Sequence, residues 1–213
     1  MRIAIIGAGN VGQALGGNWS AKGHDVIFGV RQLGDPGLAR LLAGAGATEA
    51  LPAAAAAQAD VVVLALPWAV AEGAVKALGE LEGKVVIDCM NPLTMTDGAL
   101  GLDRGFTNSG AETVQSWLPR AHVVKTLNQV GAEIMANPSI LAAIPVMFLA
   151  GDDVTAKAKA AALVTDAGFE ALDAGPLRQA RLLEPFAMLW INQAIVRGEG
   201  RKWALGVLRG DES

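Results

Sequence analysis

The residues Ile5-Ile6-Gly7-Ala8-Gly9-Asn10-Val11-Gly12 form a turn of the G-x-G-x-x-G type, and the chemistry such a turn performs is binding of a dinucleotide pyrophosphate. Gly7 would allow the sharp bend, Gly9 would let the backbone approach the phosphates, and Gly12 would let a helix pack closely on a strand. The free N–H groups and positive dipole end of that helix would then face the anion. A second feature lies at Phe28-Gly29-Val30-Arg31-Gln32. An NAD site usually carries an acidic residue about 20 positions beyond the glycines, bonded to the ribose 2′-hydroxyl. Here Arg31 stands in that place, and Asp35 follows only after the turn has begun. A guanidinium there could hold the 2′-phosphate of NADP through paired, charge-assisted hydrogen bonds.

Both features need a βαβ frame, and the hydrophobic pattern supplies one. Arg2 to Ile6 reads as a strand, Val11 to Lys22 as a helix and His24 to Val30 as the next strand. Beyond it come a helical Leu38 to Ala43, an alanine-rich helix from Pro52 to Gln58, and a strand from Asp60 to Leu66 that is apolar throughout, as expected of a parallel strand buried on both faces. Pro67-Trp68 ends that strand before a helix from Val70 to Leu81. Strand Lys84 to Asp88, a loop from Cys89 to Asn108, helix Gly110 to Leu118 and strands His122 to Leu127 and Pro145 to Gly151 follow. The alternation predicts an α/β fold, a Rossmann-like doubly wound and mainly parallel sheet. A small C-terminal α/β extension follows: helix Val154 to Gly168, strand Phe169 to Leu172, and a long helix from Leu177 to Arg197, started at Gly175-Pro176 and kinked at Pro185. Residues 1–150 are expected to bind NADP and residues 151–213 to close the cleft. The apolar side of the last helix is wider than one stripe, which predicts a contact with a second subunit, hence a homodimer.

Composition excludes several functions. The chain has 213 residues and is 52% hydrophobic, enough to form a large core. Its longest apolar runs, residues 61–70 and 141–150, fall short of the roughly 18 residues of a membrane span and each contains a proline, so a cytoplasmic protein without a membrane partner is expected. One cysteine, Cys89, gives no internal disulfide, and with only His24 and His122 beside it there is no zinc ligand set, so no metal is expected. A net charge of −4 with dispersed Lys and Arg argues against nucleic acid as a partner.

Elimination also narrows the chemistry. With no tyrosine, the chain cannot use a Tyr-Lys acid/base pair. His24 and His122 open strands, at the end away from the nucleotide, and read as surface residues. Ser109 and Ser116 lack a histidine partner, which argues against nucleophilic hydrolysis. The strand carboxyl ends instead offer Pro67-Trp68, Asn91-Pro92-Leu93 and Asn128-Gln129, neutral groups that could shape a slot and hold an amide but not deliver a proton. Such a site suits hydride transfer to a flat, flavin-like acceptor, with catalysis coming chiefly from positioning two rings. No catalytic residue is assigned; Pro67, Leu93, Asn128 and Pro176 are candidates for the acceptor cleft.

Over almost its whole length the chain resembles the coenzyme F420-dependent NADP oxidoreductases. The resemblance rests on Met1 to Gly12, Gly29-Val30-Arg31, Leu66-Pro67-Trp68, and most specifically Leu172-Asp173-Ala174-Gly175-Pro176-Leu177 followed by Ala180-Arg181-Leu182-Leu183-Glu184. It implies a deazaflavin stacked on the nicotinamide of NADP, pyrophosphate contacts from Ala8 to Val11, 2′-phosphate recognition at Arg31, and an active cleft near Leu66, Pro67, Leu93, Leu127 and Asn128. The chain departs from the archaeal-type enzymes at Val30, where they carry a serine, and at Asn128, where they carry a histidine. Two alternatives stay open: an NADPH-dependent reductase of a small imine or keto acid, and a non-catalytic NADP-responsive binding protein.

Overall fold

The computed structural model describes residues 1–34, 36–43 and 46–210; Asp35 lies outside them. Strands β1 (Arg2–Ile6), β2 (Asp25–Gly29), β3 (Ala47–Ala50), β4 (Val61–Leu64), β5 (Val85–Asp88), β8 (His122–Lys125), β9 (Val146–Gly151) and β10 (Glu170–Asp173) form one sheet in the order β10-β9-β8-β5-β4-β1-β2-β3. All neighbours pair in parallel except β8 and β9, where Val124 opposes Gly151 and Lys125 opposes Ala150. The chain winds outward from β1 to β3 and then restarts at β4 on the other side of β1. That reversal opens a crevice between the ends of β1 and β4, the place where open α/β sheets bind ligands. The expected doubly wound, mainly parallel α/β fold is present.

Side-chain alternation divides the core into two layers. Ile3, Ile5, Val61 and Val63 face one side with Leu15 and Trp19 of α1 (Asn10–Ala21) and Leu163 and Val164 of α7 (Val154–Asp166). Ala4, Ile6, Val62 and Leu64 face the other with α3 (Pro52–Gln58), α4 (Trp68–Lys76) and α5 (Gly110–Trp117). The central strands are buried on both faces, which explains why they read as unbroken apolar runs.

Four elements differ from the sequence expectation. The half-buried strand β3 carries no apolar run, as suits a sheet edge. The segment expected as a loop from Cys89 to Asn108 contains a hairpin, β6 (Leu93–Thr96) and β7 (Ala99–Leu102), closed by Asp97 and Gly98 at φ 51° and 77°. Asp-Gly between two strands is the usual signal for a turn needing two positive φ angles, so this hairpin was readable. A five-residue helix α6 (Ala132–Ala136), packed on α1, separates β8 from β9. The last helix is three pieces: a 3-10 turn at Leu177–Gln179, α8 (Ala180–Ile191) running on through Pro185, and a π turn at Asn192–Val196.

His24 also differs. Its side chain is buried, with Nε2 3.0 Å from Asp166 Oδ2 and Nδ1 3.3 Å from the Met1 amine, so it ties the amino terminus to α7 rather than facing water. His122 is partly exposed at the amino end of β8, 3.8 Å from Asp153.

Candidate functional site

The glycine turn connects β1 to α1, and each glycine has a distinct role. Gly7 has φ 111°, and a Cβ there would lie 2.4 Å from the Ala65 carbonyl oxygen, so the turn presses against the end of β4. A Cβ on Gly12 would lie 2.0 Å from the Gly7 carbonyl oxygen, where only glycine fits. Gly9 is the opposite case: a Cβ would meet no protein atom within 4 Å. It caps α1 in an extended conformation, and no side chain caps the helix. The turn thus leaves an open cradle beside uncapped helix N–H groups, with the half-buried Ala8 and Val11 and the exposed Asn10 around it. That cradle fits a pyrophosphate. Gln13 Nε2 donates to the Ala8 carbonyl at 2.8 Å and steadies the turn.

Arg31 follows β2 on the same side of the sheet. Val30 is buried, its N–H bonded to Ala50, and Arg31 is exposed, with no hydrogen bond or ion pair to any described residue. Its guanidinium is therefore available for an anion. The turn behind it is fixed by Glu49 on β3, whose Oε1 accepts from the Gly34 N–H at 2.6 Å. The Glu49 Oε2 is buried without a partner among the described residues, a spare acceptor beside the Arg31 turn. Sequence reasoning missed Glu49 because it missed β3.

The other strand ends bring most of the expected cleft residues together. Leu66 and the exposed Pro67 follow β4, and Pro67 starts α4, so that Trp68 stacks on Trp117 at 5.6 Å. Asn91 and Asn128 face each other: Asn128 Nδ2 donates to Asn91 Oδ1 at 3.0 Å and Asn91 Nδ2 to the Asn128 carbonyl at 2.9 Å. Asn128 also donates to the Leu183 carbonyl and accepts from Gln129, so these amides join β5, β8 and α8 rather than reach into open space. Leu93 is half-buried at the start of the hairpin. Leu127 is fully buried at φ 56°, a strained backbone for a bulky residue, and such strain clusters at functional sites.

Pro176 does not join them. Because β9 runs antiparallel to β8 and β10 follows β9, the chain leaves β10 near the amino end of β8, where the Gly151 N–H donates to the Gly175 carbonyl. Pro176 is therefore removed from the acceptor cleft.

Nor are the strand ends neutral throughout. Asp88 at the end of β5, Lys125 at the end of β8 and Glu184 on α8 are fully buried. Lys125 Nζ lies 3.0 Å from Asp88 Oδ2 and 3.2 Å from Glu184 Oε1, and it also donates to the Met90 carbonyl. Burial alone would lower the Lys125 pKa, but Asp88 and Glu184 outweigh it and hold the ammonium above the ordinary lysine value. Burial pushes the Glu184 carboxyl up against the pull of Lys125, while its oxygens accept from the Gly110 and Ala111 N–H groups at 2.8 and 3.1 Å. Nearby, the bonds from Arg181 hold the Glu112 carboxyl below the ordinary range and join α8 to α5 a second time. Burial raises the Cys89 thiol far above its usual range, which leaves it inert as a nucleophile.

Comparison with known proteins agrees with this architecture. Residues 2–92 match the family model "NADP oxidoreductase coenzyme F420-dependent". A solved structure from Arthrobacter sp. FB24, described as a candidate F420-dependent NADP reductase, is 32% identical, with a TM-score of 0.88 over 98% of this chain and 100% of that one. A hypothetical protein from Sinorhizobium meliloti is 27% identical, with a TM-score of 0.71 over 99% of this chain and 96% of that one. A reductive aminase from Aspergillus terreus, 17% identical over 92% of this chain and 62% of its own, has a TM-score of 0.67 and shares the fold. The chain belongs to the coenzyme F420-dependent NADP oxidoreductase family and is an NADP-linked oxidoreductase.

Proposed function

We propose that the protein transfers a hydride between NADPH and a flat deazaflavin- or flavin-like acceptor lodged beside the carboxyl ends of β4, β5 and β8. Arg31 binds the 2′-phosphate, the turn from Ala8 to Val11 holds the pyrophosphate, and Leu66, Pro67 and Asn91 border the nicotinamide, while Leu127, fully buried, makes no side-chain contact with it. The observation that carries the reading is the pairing of an unobstructed cradle at Gly9 with an unengaged Arg31. Bound NADPH supplies the hydride; the protein supplies placement and exclusion of water.

An open groove of about 670 Å³ between the turn after β7 and helix α8 supports a flat acceptor. Its walls include Leu102, Arg104, Phe106, Pro185 and Met188. Phe106 is largely exposed at φ 59°, a conformation uncommon for an aromatic residue and suited to a stacking surface held ready. The groove adjoins the Pro67 end of the cleft, since Trp68 Nε1 donates to Asp103 and the Arg104 guanidinium lies 5.0 Å from the Trp68 ring centre.

The test is NADPH oxidation with a deazaflavin, FMN, a ferric chelate and a cyclic imine, followed by deuterium transfer from each face of labelled NADPH to the deazaflavin ring carbon. Reduction of the deazaflavin or FMN, with label from one face only, is expected. His122→Ala should leave turnover within about twofold, because His122 stands at the opposite end of β8. Reduction of the imine alone, or loss of turnover in His122→Ala with NADPH affinity intact, would make an acid-assisted imine reductase the better reading. Inertness toward every acceptor with tight NADPH binding would favour a binding protein.

We propose further that the protein is a homodimer through α8 and the turn after it, where Leu182, Leu189, Ile195 and Val196 are exposed. Light scattering is expected to report two 21.9 kDa chains. A single chain across micromolar concentrations would remove this interface. Among the described residues no helix is long and apolar enough to cross a membrane.

A further inference from the structure

Asp88, Lys125 and Glu184 are charges placed where the fold does not need charge. Removing an ion from water is costly, and an apolar trio of similar volume would commonly fill such a site with equal or better stability. What an apolar trio could not do is hold particular backbone groups at fixed places. The Lys125 ammonium donates to Asp88 and to the Met90 carbonyl and lies 3.2 Å from Glu184 Oε1, while Asp88 Oδ1 accepts from the Met90 N–H at 2.9 Å. Both polar backbone groups of Met90 are thereby fixed, immediately before Asn91. Glu184 fixes the start of α5 and, through α8, the Leu183 carbonyl that receives Asn128.

The segment after β8 is tied residue by residue. Thr126 Oγ1 donates to the Phe148 carbonyl at 2.9 Å, Gln129 bonds both backbone groups of Phe148, and Asn128 bonds Asn91. Leu127, the one residue in this run without a polar side chain, is the strained one. Strain of that kind persists only where the surroundings over-determine it, and the fully buried Lys125 stands two residues before Leu127.

We propose that Lys125 is a positioning residue for the nicotinamide end of NADP(H): its ammonium, held by Asp88 and Glu184, locks Met90 and the strained Leu127 turn so that the ring is received in one orientation. The inference rests on the reading that the dinucleotide crosses the strand carboxyl ends, with its adenosine end at Arg31. Lys125 touches neither cofactor nor acceptor and moves no proton.

The experiment compares two ligands in binding titrations without any acceptor. NADPH occupies the whole site, and adenosine 2′,5′-bisphosphate occupies only the Arg31 end. Lys125→Met removes the ammonium at similar length, and the triple variant Asp88→Asn, Lys125→Met, Glu184→Gln removes it without stranding either carboxylate. In both, NADPH affinity is expected to fall roughly tenfold and the change in nicotinamide fluorescence on binding to be lost, while bisphosphate affinity stays within about twofold. Glu184→Gln, which retains volume and one neutral acceptor, should show a smaller shift of the same kind, and it decides the question if the other variants fail to fold. Equal weakening of both ligands would mean a purely structural role and overturn the proposal. So would unchanged NADPH affinity and fluorescence. If neither ligand bound the parent protein, the dinucleotide reading itself would fall, and the two failures are distinguishable.

Discussion

Gly9→Val is expected to abolish measurable binding of both NADPH and NADH while the protein stays folded. The extended backbone at Gly9, φ −77° and ψ −172°, suits a β-branched residue, and no protein atom lies within 4 Å of the added Cβ. The structural cost is confined to a poorer helix cap, about 1 kcal/mol. The ligand meets a different situation, because the pyrophosphate must come down on this stretch of backbone. Losing two hydrogen bonds to a charged group, at about 1.5–3 kcal/mol each, lowers affinity more than ~100-fold. The neighbouring glycines give no such clean result, since a Cβ on Gly7 or Gly12 would collide with carbonyl oxygens of the protein itself. Calorimetric titration with circular dichroism as the folding control is the measurement. Binding within about threefold of the parent, with an intact spectrum, would place the pyrophosphate elsewhere.

The parts of this molecule that could be read from its sequence are those whose physics is local. The β1-α1-β2 unit announces itself because its glycine spacing follows from a turn at positive φ and the contact of Gly12 with Gly7 five residues before it, and β4 because burial on both faces demands apolar residues throughout. The direction of β9 is another matter. An apolar run such as Val146–Gly151 reads identically in either direction, and the connection over residues 126–145, with α6 and a 3-10 turn at Pro138–Ile140, is long enough for either, so only the pairing with β8 reveals the reversal. That reversal moved Pro176 away from the cleft. The buried charges were hidden for a related reason. Lys125 sits in an ordinary strand, and its partners arrive from β5 and α8, so no spacing along the chain betrays a contact made only by packing. Asn91 and Asn128 were correctly placed at the strand ends, but their mutual hydrogen bonds could not be seen before the two strands were known to be neighbours.

Arg31→Ala is expected to weaken NADPH by about 1.5–3 kcal/mol, roughly 10- to 150-fold, and to leave NADH nearly unchanged. The argument is one of exposure and lack of competition. Arg31 forms no ion pair or hydrogen bond with a described residue, so binding the 2′-phosphate costs it no existing partner. Nor does its removal leave a described carboxylate unpaired, which separates it from Arg181, whose loss would strand Glu112 and loosen α8 from α5. The preference should therefore vanish without a matching fall in thermal stability. Salt supplies a second signature: an exposed guanidinium–phosphate contact is screened, so the NADPH advantage of the parent protein should shrink as ionic strength rises, while NADH affinity changes less. Lys at this position should recover only part of the effect, because an ammonium replaces the charge but not the paired geometry. Equal affinities of the parent protein for NADPH and NADH would remove Arg31 from the site and leave Glu49, with its unpaired buried oxygen behind the same turn, as the group to examine for a ribose hydroxyl.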